Sequence, residues 1–178
     1  MKTLTLLRHA RSDWDDQVQR DFDRPLNPRG RRAARTVGRE MKRLGLTFDH
    51  CIASPAVRVR ETLGEVEGAF GPLQPRFDER VYLADPDTLL DLVHAAPEEA
   101  NSLLLVGHNP GLEMLALSLA ARGASPLIGE VEVKYPTGTL AELSLPVERW
   151  GDVTQGRAQL IRFIRPRDLD PNLGPDSV

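Results

Sequence analysis

Short apolar runs alternate along the chain with stretches whose apolar residues recur at helical spacing, and this alternation restricts the fold most strongly. Six runs are predicted as strands, of which 74–82 is the weakest: 3–7, 50–53, 74–82, 102–106, 140–145 and 158–164. Four stretches are predicted as helices: 33–44, 59–70, 89–96 and 112–121. Such alternation favours a largely parallel sheet covered by helices on both faces. We therefore expect an α/β fold, a three-layer α/β/α sandwich with a mostly parallel mixed sheet of about six strands.

The length and composition indicate one domain of a cytoplasmic protein. The chain has 178 residues, and we expect 1–165 to form the domain and the Pro- and Asp-containing residues 166–178 to form a loose tail. The single cysteine excludes a disulfide framework and a four-cysteine zinc site. No apolar run approaches the roughly 20 residues that span a membrane. Arg8 and His9 interrupt the first apolar run too early for a secretory signal peptide.

Basic residues are concentrated in the first third of the chain. Residues 1–62 carry 14 Lys and Arg against 8 Asp and Glu, although the whole chain has a net charge of −3. One interpretation of this excess is a solvated basic helix face at 29–43. The functional interpretation is a local positive field that attracts an anionic ligand. A nucleic-acid partner is not expected, because the chain is acidic overall and has no interleaved aromatic residues. The predominance of arginine over lysine is typical of a high-GC bacterial gene.

Four predicted helix starts share one form, a capping residue followed by proline: Asn27-Pro28, Ser54-Pro55, Asp85-Pro86 and Asn109-Pro110. Asn, Ser and Asp accept hydrogen bonds from the free N–H groups of a first turn, and proline fits the first helical position. The starts at Ser54 and Asn109 directly follow apolar runs. We expect these two at the carboxyl edge of the parallel sheet, where helix N-termini favour anions.

The ends of three predicted strands carry two histidines and two arginines. Arg8 and His9 follow the first strand, Arg58 lies in the first turn after the second, and His108 follows the run at 102–106. Planar guanidinium groups match the oxygens of a phosphoryl group, and an imidazole can supply a nucleophile. The sequence therefore predicts a phosphoryl-transfer site at one edge of the sheet. Motifs of nucleotide-binding loops and the spacing of zinc-binding histidines are absent from the sequence.

These residues lie in motifs that resemble those of the histidine phosphatase superfamily, which has the phosphoglycerate mutase-like fold. The matching motifs are Arg-His-Ala at 8–10, Ser-Pro-x-x-Arg-x-x-Glu-Thr at 54–62 and Gly-His-Asn-Pro at 107–110. An Arg-Pro-Leu stretch at 24–26 before an Asn-Pro-x-Gly helix start is most similar to SixA-type phosphohistidine phosphatases. The resemblance extends over residues 3–165.

The resemblance implies a role for each matched residue. His9 would attack phosphorus and become a transient phosphohistidine, and Arg8, Arg58 and His108 would hold the oxygens of the transferring group. Ser12 and Arg24 are further candidates for binding the phosphate. No metal or other cofactor is implied, because the cationic side chains take its place. This agrees with phosphoryl transfer in general, in which positioning and electrostatic stabilisation dominate.

The resemblance does not identify the general acid that would protonate the leaving group. Acid-phosphatase relatives place an aspartate after the second histidine, where this chain has Asn109. Mutase-like relatives carry a glutamate in a stretch similar to 78–82, which makes Glu79 the candidate. A solvated surface carboxylate is the alternative interpretation of Glu79. Without a strong acid, substrates whose leaving group departs easily are favoured, and protonated phosphohistidine is one of these.

Two classes of enzyme and one class of binding protein remain as interpretations. We expect a metal-independent phosphatase that removes phosphate from phosphohistidine on a signalling protein, since only about twenty residues separate 82 from the strand at 102 and leave no room for a lid. The first alternative is a small-molecule phosphomonoesterase that acts on a sugar or other metabolite phosphate. A catalytically silent module that binds a phosphorylated ligand is the alternative from another class. A mutase is disfavoured by the missing lid, and the oligomeric state is not predicted.

Overall fold

Six strands and six α-helices make up the part of the chain that the computed structural model describes, which is residues 1–14, 20–123 and 125–174. The strands are β1 (Lys2–Arg8), β2 (His50–Ala53), β3 (Arg76–Phe77), β4 (Ser102–Gly107), β5 (Leu140–Leu145) and β6 (Gln159–Ile164). The helices are α1 (Pro28–Arg43), α2 (Val57–Phe70), α3 (Pro86–His94), α4 (Gly111–Leu119), α5 (Leu127–Val133) and α6 (Pro166–Leu169). Short 3₁₀ turns lie at Asp21–Asp23, Glu79–Val81, Trp150–Asp152 and Pro171–Leu173.

The strands form one mixed sheet in the order β3-β2-β4-β1-β5-β6. The first four strands of this order are parallel, whereas β5 is antiparallel to both β1 and β6. Arg8 pairs with Gly107, and Ala53 pairs with Val106, so that β1, β4 and β2 end at the same level. The predicted α/β fold with a mostly parallel mixed sheet is therefore confirmed, and three carboxyl ends meet at its centre.

The core lies in two layers, one on each face of the sheet. Successive residues of β4 point to opposite faces. Leu103 and Leu105 pack in the layer of α3 and α4, and Leu104 and Val106 pack in the layer of α1 and α2. All four are buried, which explains why the sequence of this strand is a continuous apolar run. Within the described residues, no helix is both long and apolar enough to cross a bilayer.

The strand predicted at 74–82 is mostly wrong. Only Arg76–Phe77 pairs with β2, and the chain then turns into the 3₁₀ helix Glu79–Val81. The physical reason is Asp78, whose carboxylate accepts a hydrogen bond from the backbone N–H of Arg80 at 2.9 Å. This local bond stabilises a turn and ends the strand.

The four predicted helix starts divide into two pairs. Asn27 and Asp85 cap α1 and α3 as expected, each accepting from the backbone N–H three residues on, at 2.7 and 2.8 Å. The prediction is wrong for Ser54, because α2 begins three residues later at Val57. Helix α4 begins at Gly111 and Asn109 is not its N-cap, but the Asn109 side-chain oxygen still accepts from the backbone N–H of Glu113 in the first turn at 3.2 Å. The Ser54 and Asn109 side chains both lie at the carboxyl edge of the sheet, where they also contact other groups.

The predicted tail packs against the domain over most of its length. Helix α6 and the following 3₁₀ turn continue the fold to residue 174. Leu173 is buried, and Asp170 forms an ion pair with Arg32 of α1 at 2.5 Å. This ion pair and the hydrogen bonds from Arg29 of α1 to the carbonyl oxygens of Asn172 and Gly174 hold 166–174 to α1. Residues 175–178 lie outside the described residues, and the division at 165 stays a prediction.

Replacing Leu173 with alanine tests this packing. We expect Leu173→Ala to lower the free energy of unfolding by about 2 kcal/mol, because a buried leucine side chain is lost. Ile161→Ala is the matched control, since Ile161 is an exposed residue of β6 and its loss is expected to cost under about 1 kcal/mol. Denaturant titration measures both. Equal, small effects of the two variants would show that the segment does not pack.

Candidate active site

The four residues predicted to carry the chemistry converge at the carboxyl edge of the sheet. Arg8 ends β1 and His9 follows it, His108 follows β4, and Arg58 lies in the first turn of α2. They line a cleft of about 230 Å³. The described residues that complete the lining are Ser12, Asp21, Arg24, Leu83, Asn109 and Thr137. Parallel strands that end together therefore assemble the predicted set.

The His9 imidazole is held in one tautomer. Its Nδ1 lies 2.7 Å from the carbonyl oxygen of Ala10, which can only accept, so that Nδ1 carries the proton. Nε2 is then unprotonated and receives a hydrogen bond from Nε of Arg58 at 3.3 Å. Burial, more than the nearby positive charges, holds the pKa of His9 well below its usual value. The ring is therefore neutral near pH 7, and its unprotonated Nε2 accepts from Arg58 in the lining of the cleft.

The loop that carries His9 is held from α2. The backbone N–H of Ala10 donates to Oγ1 of Thr62 at 2.9 Å, and the Thr62 hydroxyl donates to the carbonyl oxygen of Arg58 at 2.7 Å. Thr62 is fully buried. One buried hydroxyl thus ties the nucleophile's loop to the helix that supplies Arg58, and this explains the threonine at the end of the second motif.

The Arg58 guanidinium links every element of the site. It is 2% exposed, and its Nη1 and Nη2 donate to the carbonyl oxygen and the carboxylate of Asp21 at 2.8 and 2.9 Å. Nη2 also lies 3.3 Å from Nδ1 of His108. Together with the bond to His9, these contacts use four of the five N–H donors of the guanidinium. Arg58 therefore positions both histidines as well as offering positive charge to an anion.

His108 is held in a defined tautomer by Ser54. Because a guanidinium only donates, Nδ1 of His108 accepts from Arg58, and the proton of the neutral ring lies on Nε2. Nε2 lies 2.7 Å from Oγ of the fully buried Ser54 and donates to it. Burial, and then the charge of Arg58, lowers the pKa of His108 to about 3. His108 is consequently neutral in the unliganded site, 5.3 Å from the His9 ring between centroids.

Asp21 is the site residue that sequence reasoning missed. Its carboxylate accepts hydrogen bonds from the Tyr82 hydroxyl at 2.6 Å, from Arg58, and from Nε of Arg24 at 3.0 Å. Burial alone would raise the pKa of Asp21, but the hydrogen bonds from Tyr82 and Arg58 outweigh it and lower the pKa to about 2. The carboxylate is ionised at neutral pH. Its spacing of three residues from Arg24 is a weak signal, and nothing in the sequence connects it to Arg58.

Ser12 and Arg24 both line the cleft, as predicted for phosphate-binding candidates. The Ser12 hydroxyl donates to the carbonyl oxygen of Pro25 at 2.6 Å. The Arg24 guanidinium lies 4.8 Å from the centroid of the exposed Trp14 ring and bonds to Asp21. Arg24 can therefore turn its remaining donors to a ligand, whereas the Ser12 hydroxyl already has an acceptor.

Glu79 does not lie among the described residues that line the cleft. It is an exposed residue of the 3₁₀ helix Glu79–Val81. The same stretch instead brings in Tyr82, whose hydroxyl binds Asp21 and whose ring packs edge-on against His108 at 5.4 Å. The matched segment thus contributes to the site through its last residue, and the role of Glu79 as acid stays a prediction.

The cleft combines three guanidinium groups, those of Arg8, Arg24 and Arg58, with the carboxylate of Asp21. Arg8 donates from Nη1 to the carbonyl oxygen of Tyr135 at 2.9 Å, and its buried Nε has no partner within the described ranges. In residues 1–14, 20–123 and 125–174, no three His, Cys, Asp or Glu side chains form a group that could hold a metal ion. The arrangement places three cationic side chains and His9 around one cleft, which suits an anionic ligand.

Comparison with known proteins agrees with this chemistry. Residues 4–82 match the model of the histidine phosphatase superfamily (branch 1). An uncharacterized protein of Mycobacterium tuberculosis is 36% identical over 163 residues, which are 90% of this chain and 100% of the relative. The relative in Mycobacterium leprae, also uncharacterized, is 33% identical over 166 residues, again 90% and 100% of the two chains.

Solved structures give the same family. The protein named "putative phosphohistidine phosphatase SixA" from Nakamurella multipartitia is 32% identical and superposes with a TM-score of 0.79, covering 93% of this chain and 96% of that one. Phosphoserine phosphatase from Entamoeba histolytica shares the fold alone, with 16% identity and a TM-score of 0.63 over 95% and 100% of the two chains. The chain therefore belongs to the histidine phosphatase superfamily (branch 1), as a SixA-like phosphatase.

Proposed function

We propose that this phosphatase removes the phosphoryl group from phosphohistidine on a cytoplasmic signalling protein, through a phosphoenzyme formed on His9. The observation that carries the proposal is the combination of a neutral, oriented His9 with a cleft that has three guanidinium groups and no protonated carboxyl group among its described lining residues. This combination supplies a nucleophile and charge stabilisation but little assistance to a poor leaving group.

In the first step, Nε2 of His9 attacks phosphorus. The new N–P bond forms as the N–P bond of the substrate breaks, and the substrate histidine leaves as neutral imidazole because its other ring nitrogen carries a proton. Arg8 and Arg58 stabilise the charge on the non-bridging oxygens. Ala10 keeps the Nδ1 proton of His9 in place, so that Nε2 stays the attacking atom.

His108 contacts the phosphoryl group as a donor only after its protonation changes. In the unliganded site its Nδ1 accepts from Arg58. Binding of a dianion favours a proton on Nδ1, which raises the pKa of His108 or exchanges its tautomer. The Ser54 hydroxyl tolerates both states, because it can accept from Nε2 or donate to it. In the second step, water attacks phosphorus, the bond to His9 breaks and phosphate leaves.

The missing acid favours phosphohistidine over ordinary esters. Within the described lining, Asp21 is the one carboxylate, and its pKa of about 2 keeps it ionised. An alkoxide leaving group needs a proton from an acid, whose contribution is typically about 10²–10⁴-fold. Imidazole has an ordinary pKa of about 6.5, so that a phosphorylated ring can take its proton from water before it leaves.

The size of the cleft favours a phosphoryl group presented on a larger molecule. Its volume of about 230 Å³ is below the roughly 300–1,000 Å³ of pockets that enclose small ligands. Helix α3 takes up residues 86–94 of the segment between Tyr82 and β4, so that no lid is inserted there. The rest of the substrate therefore stays outside the cleft, as a phosphorylated protein would.

A small-molecule phosphomonoesterase is the second candidate. The side chains of Arg8, His9, Arg58 and His108 bind the phosphoryl group and do not discriminate between leaving groups. A working Glu79 would favour this candidate. A silent module that binds phosphorylated ligands ranks below both enzymes, because the nucleophile is in place and correctly protonated.

The choice of substrate is tested by comparing phosphate release from a phosphohistidine peptide and from an alkyl phosphate, in the presence of a chelator. We expect the wild type to prefer the peptide by about 100-fold or more in kcat/KM, because no acid assists the ester. His9→Ala is expected to release phosphate from neither, and Glu79→Gln to match the wild type. Comparable turnover of the alkyl ester, or its loss in Glu79→Gln, would favour the metabolite phosphatase.

The ion pair between Asp21 and Arg58 predicts a pH-dependent contribution to stability. The folded pKa of about 2 lies below the ordinary 3.8, so that the contribution is present above pH 4 and is lost as the pH falls through 2. We expect Asp21→Asn to lower the free energy of unfolding by about 1 kcal/mol at pH 7, after screening by solvent is allowed for, and by much less near pH 2.

Asp23→Asn is the matched control for this experiment. Asp23 lies in the same 3₁₀ turn and binds only the exposed side chain of Arg20 among the described residues. Its substitution is expected to have little effect at either pH. Denaturant titrations of both variants across the acid range measure the difference. A loss of stability in Asp21→Asn that did not change with pH would contradict the assigned ion pair.

A further inference from the structure

Leu83 has the one wholly apolar side chain among the described residues that line the catalytic cleft. The other described lining residues all carry a charged or hydrogen-bonding group. Leu83 exposes 55% of its surface. A single exposed leucine is ordinary on a protein surface. What distinguishes Leu83 is that it lies in the cleft and that its backbone conformation is unusual for leucine.

The residues on either side of Leu83 are anchored in opposite layers of the core. Tyr82 packs against the layer of α1 and α2, and Ala84 packs against the layer of α3 and α4. The carbonyl oxygen of Ala84 also lies so close to Gly111, the first residue of α4, that a Cβ at this position would overlap it. Leu83 belongs to neither layer. The chain therefore holds this side chain at the cleft and outside the core.

The backbone of Leu83 is strained. Its φ is 50°, which lies in the left-handed region that favours glycine and that leucine rarely adopts. The free protein gains little burial in return, because more than half of the residue stays exposed. Strain of this kind persists where the surrounding structure fixes it, and it is concentrated at ligand-binding and active sites. The conformation thus points to a contact that forms when a substrate is bound.

The position of Leu83 suits the part of the substrate beyond the phosphoryl group. The three arginines of the lining supply positive charge for the phosphoryl oxygens, whereas a leucine side chain offers them neither charge nor a hydrogen bond. The leaving group has to extend out of a cleft of only about 230 Å³, past its lining. A flat, apolar leaving group that covers Leu83 removes apolar surface from water and so strengthens binding.

We propose that Leu83 is a specificity-determining residue, which packs against the leaving group and favours one that is flat and apolar, such as the imidazole ring of phosphohistidine. This inference rests on the proposed function and specifies which part of the substrate the protein recognises besides the phosphoryl group. It predicts that a substrate with the same kind of N–P bond but without a ring gains nothing from Leu83.

The test compares a phosphohistidine peptide with phosphoramidate, which has an N–P bond and no ring. We expect the ratio of their kcat/KM values, peptide over phosphoramidate, to fall about fivefold or more in Leu83→Asn, because asparagine tolerates a positive φ but is polar. Leu83→Met retains an apolar side chain and is expected to keep most of the wild-type ratio. Ile161→Asn is the control at an exposed position of β6 outside the described cleft lining, and it is expected to keep the whole ratio.

Denaturant titration separates a lost substrate contact from a damaged fold. Leu83→Asn and Leu83→Gly are expected to be at least as stable as the wild type, because both residues adopt the left-handed conformation with less strain. A lower ratio at unchanged or raised stability supports the contact with the leaving group. Destabilisation of both variants would show that the leucine packs in the free protein, and would overturn the inference.

The substrate 4-nitrophenyl phosphate, which has a ring and whose leaving group departs without an acid, separates this inference from the proposed function. If the peptide is hydrolysed but Leu83→Asn keeps the wild-type ratio, Leu83 does not determine specificity and the proposed function stands. If only 4-nitrophenyl phosphate and phosphoramidate are hydrolysed, and their ratio falls in Leu83→Asn, the contact stands and the protein substrate is wrong. No turnover of any of the three substrates would overturn both.

Discussion

The burial of Arg58 is the constraint on which the rest of the site depends. A guanidinium group that is 2% exposed is stable only if its donors and its charge are matched. Asp21 supplies the charge and a backbone acceptor, and the two histidines accept from the remaining donors. The guanidinium is thereby oriented at the cleft, where the three arginines Arg8, Arg24 and Arg58 supply the positive charge for an anion. Phosphate binding therefore has to rearrange part of this network, because Arg58 already donates to Asp21 and both histidines and His108 accepts from it in the unliganded site.

The sheet places these groups at one edge because of its topology. β1, β4 and β2 are adjacent and parallel and end at the same level, so that the residue after each strand faces the same cleft. Ser54 does not cap its helix and instead holds His108. Asn109 does both: its oxygen accepts from the backbone N–H of Glu113 in the first turn of α4, and its Nδ2 donates to the carbonyl oxygen of Tyr135, to which Arg8 also donates.

Much of the fold and of the site follows from the sequence. The β1 and β4 runs are buried on both faces, so their patterns and the Arg8, His9 and His108 that follow them are recognisable without a structure. Asp21 is not recognisable in this way, because it reaches Arg58 from a distant turn and no local period places it there. The packing of 166–174 is hidden for a related reason, since a single leucine and one ion pair do not alter a polar composition.

The segment around Glu79 shows a third feature that the sequence does not predict, which is the direction in which a side chain points. The run at 74–82 has the alternation of a strand, but a side-chain bond of Asp78 turns the chain after two paired residues. This turn exposes Glu79 and brings Tyr82 to Asp21. The motif match therefore places the segment near the site. It does not predict which of its side chains faces the cleft, because a single turn in the backbone changes their directions.

The central claim is that the phosphoryl group passes through Nε2 of His9. The most direct measurement is rapid quenching of the reaction with a phosphohistidine peptide, followed by mass spectrometry and ³¹P NMR of the enzyme. The account predicts one phosphoryl group on Nε2 of His9, formed faster than phosphate is released and absent in His9→Ala. A phosphoryl group on another residue, or phosphate release by His9→Ala at the wild-type rate, would contradict it.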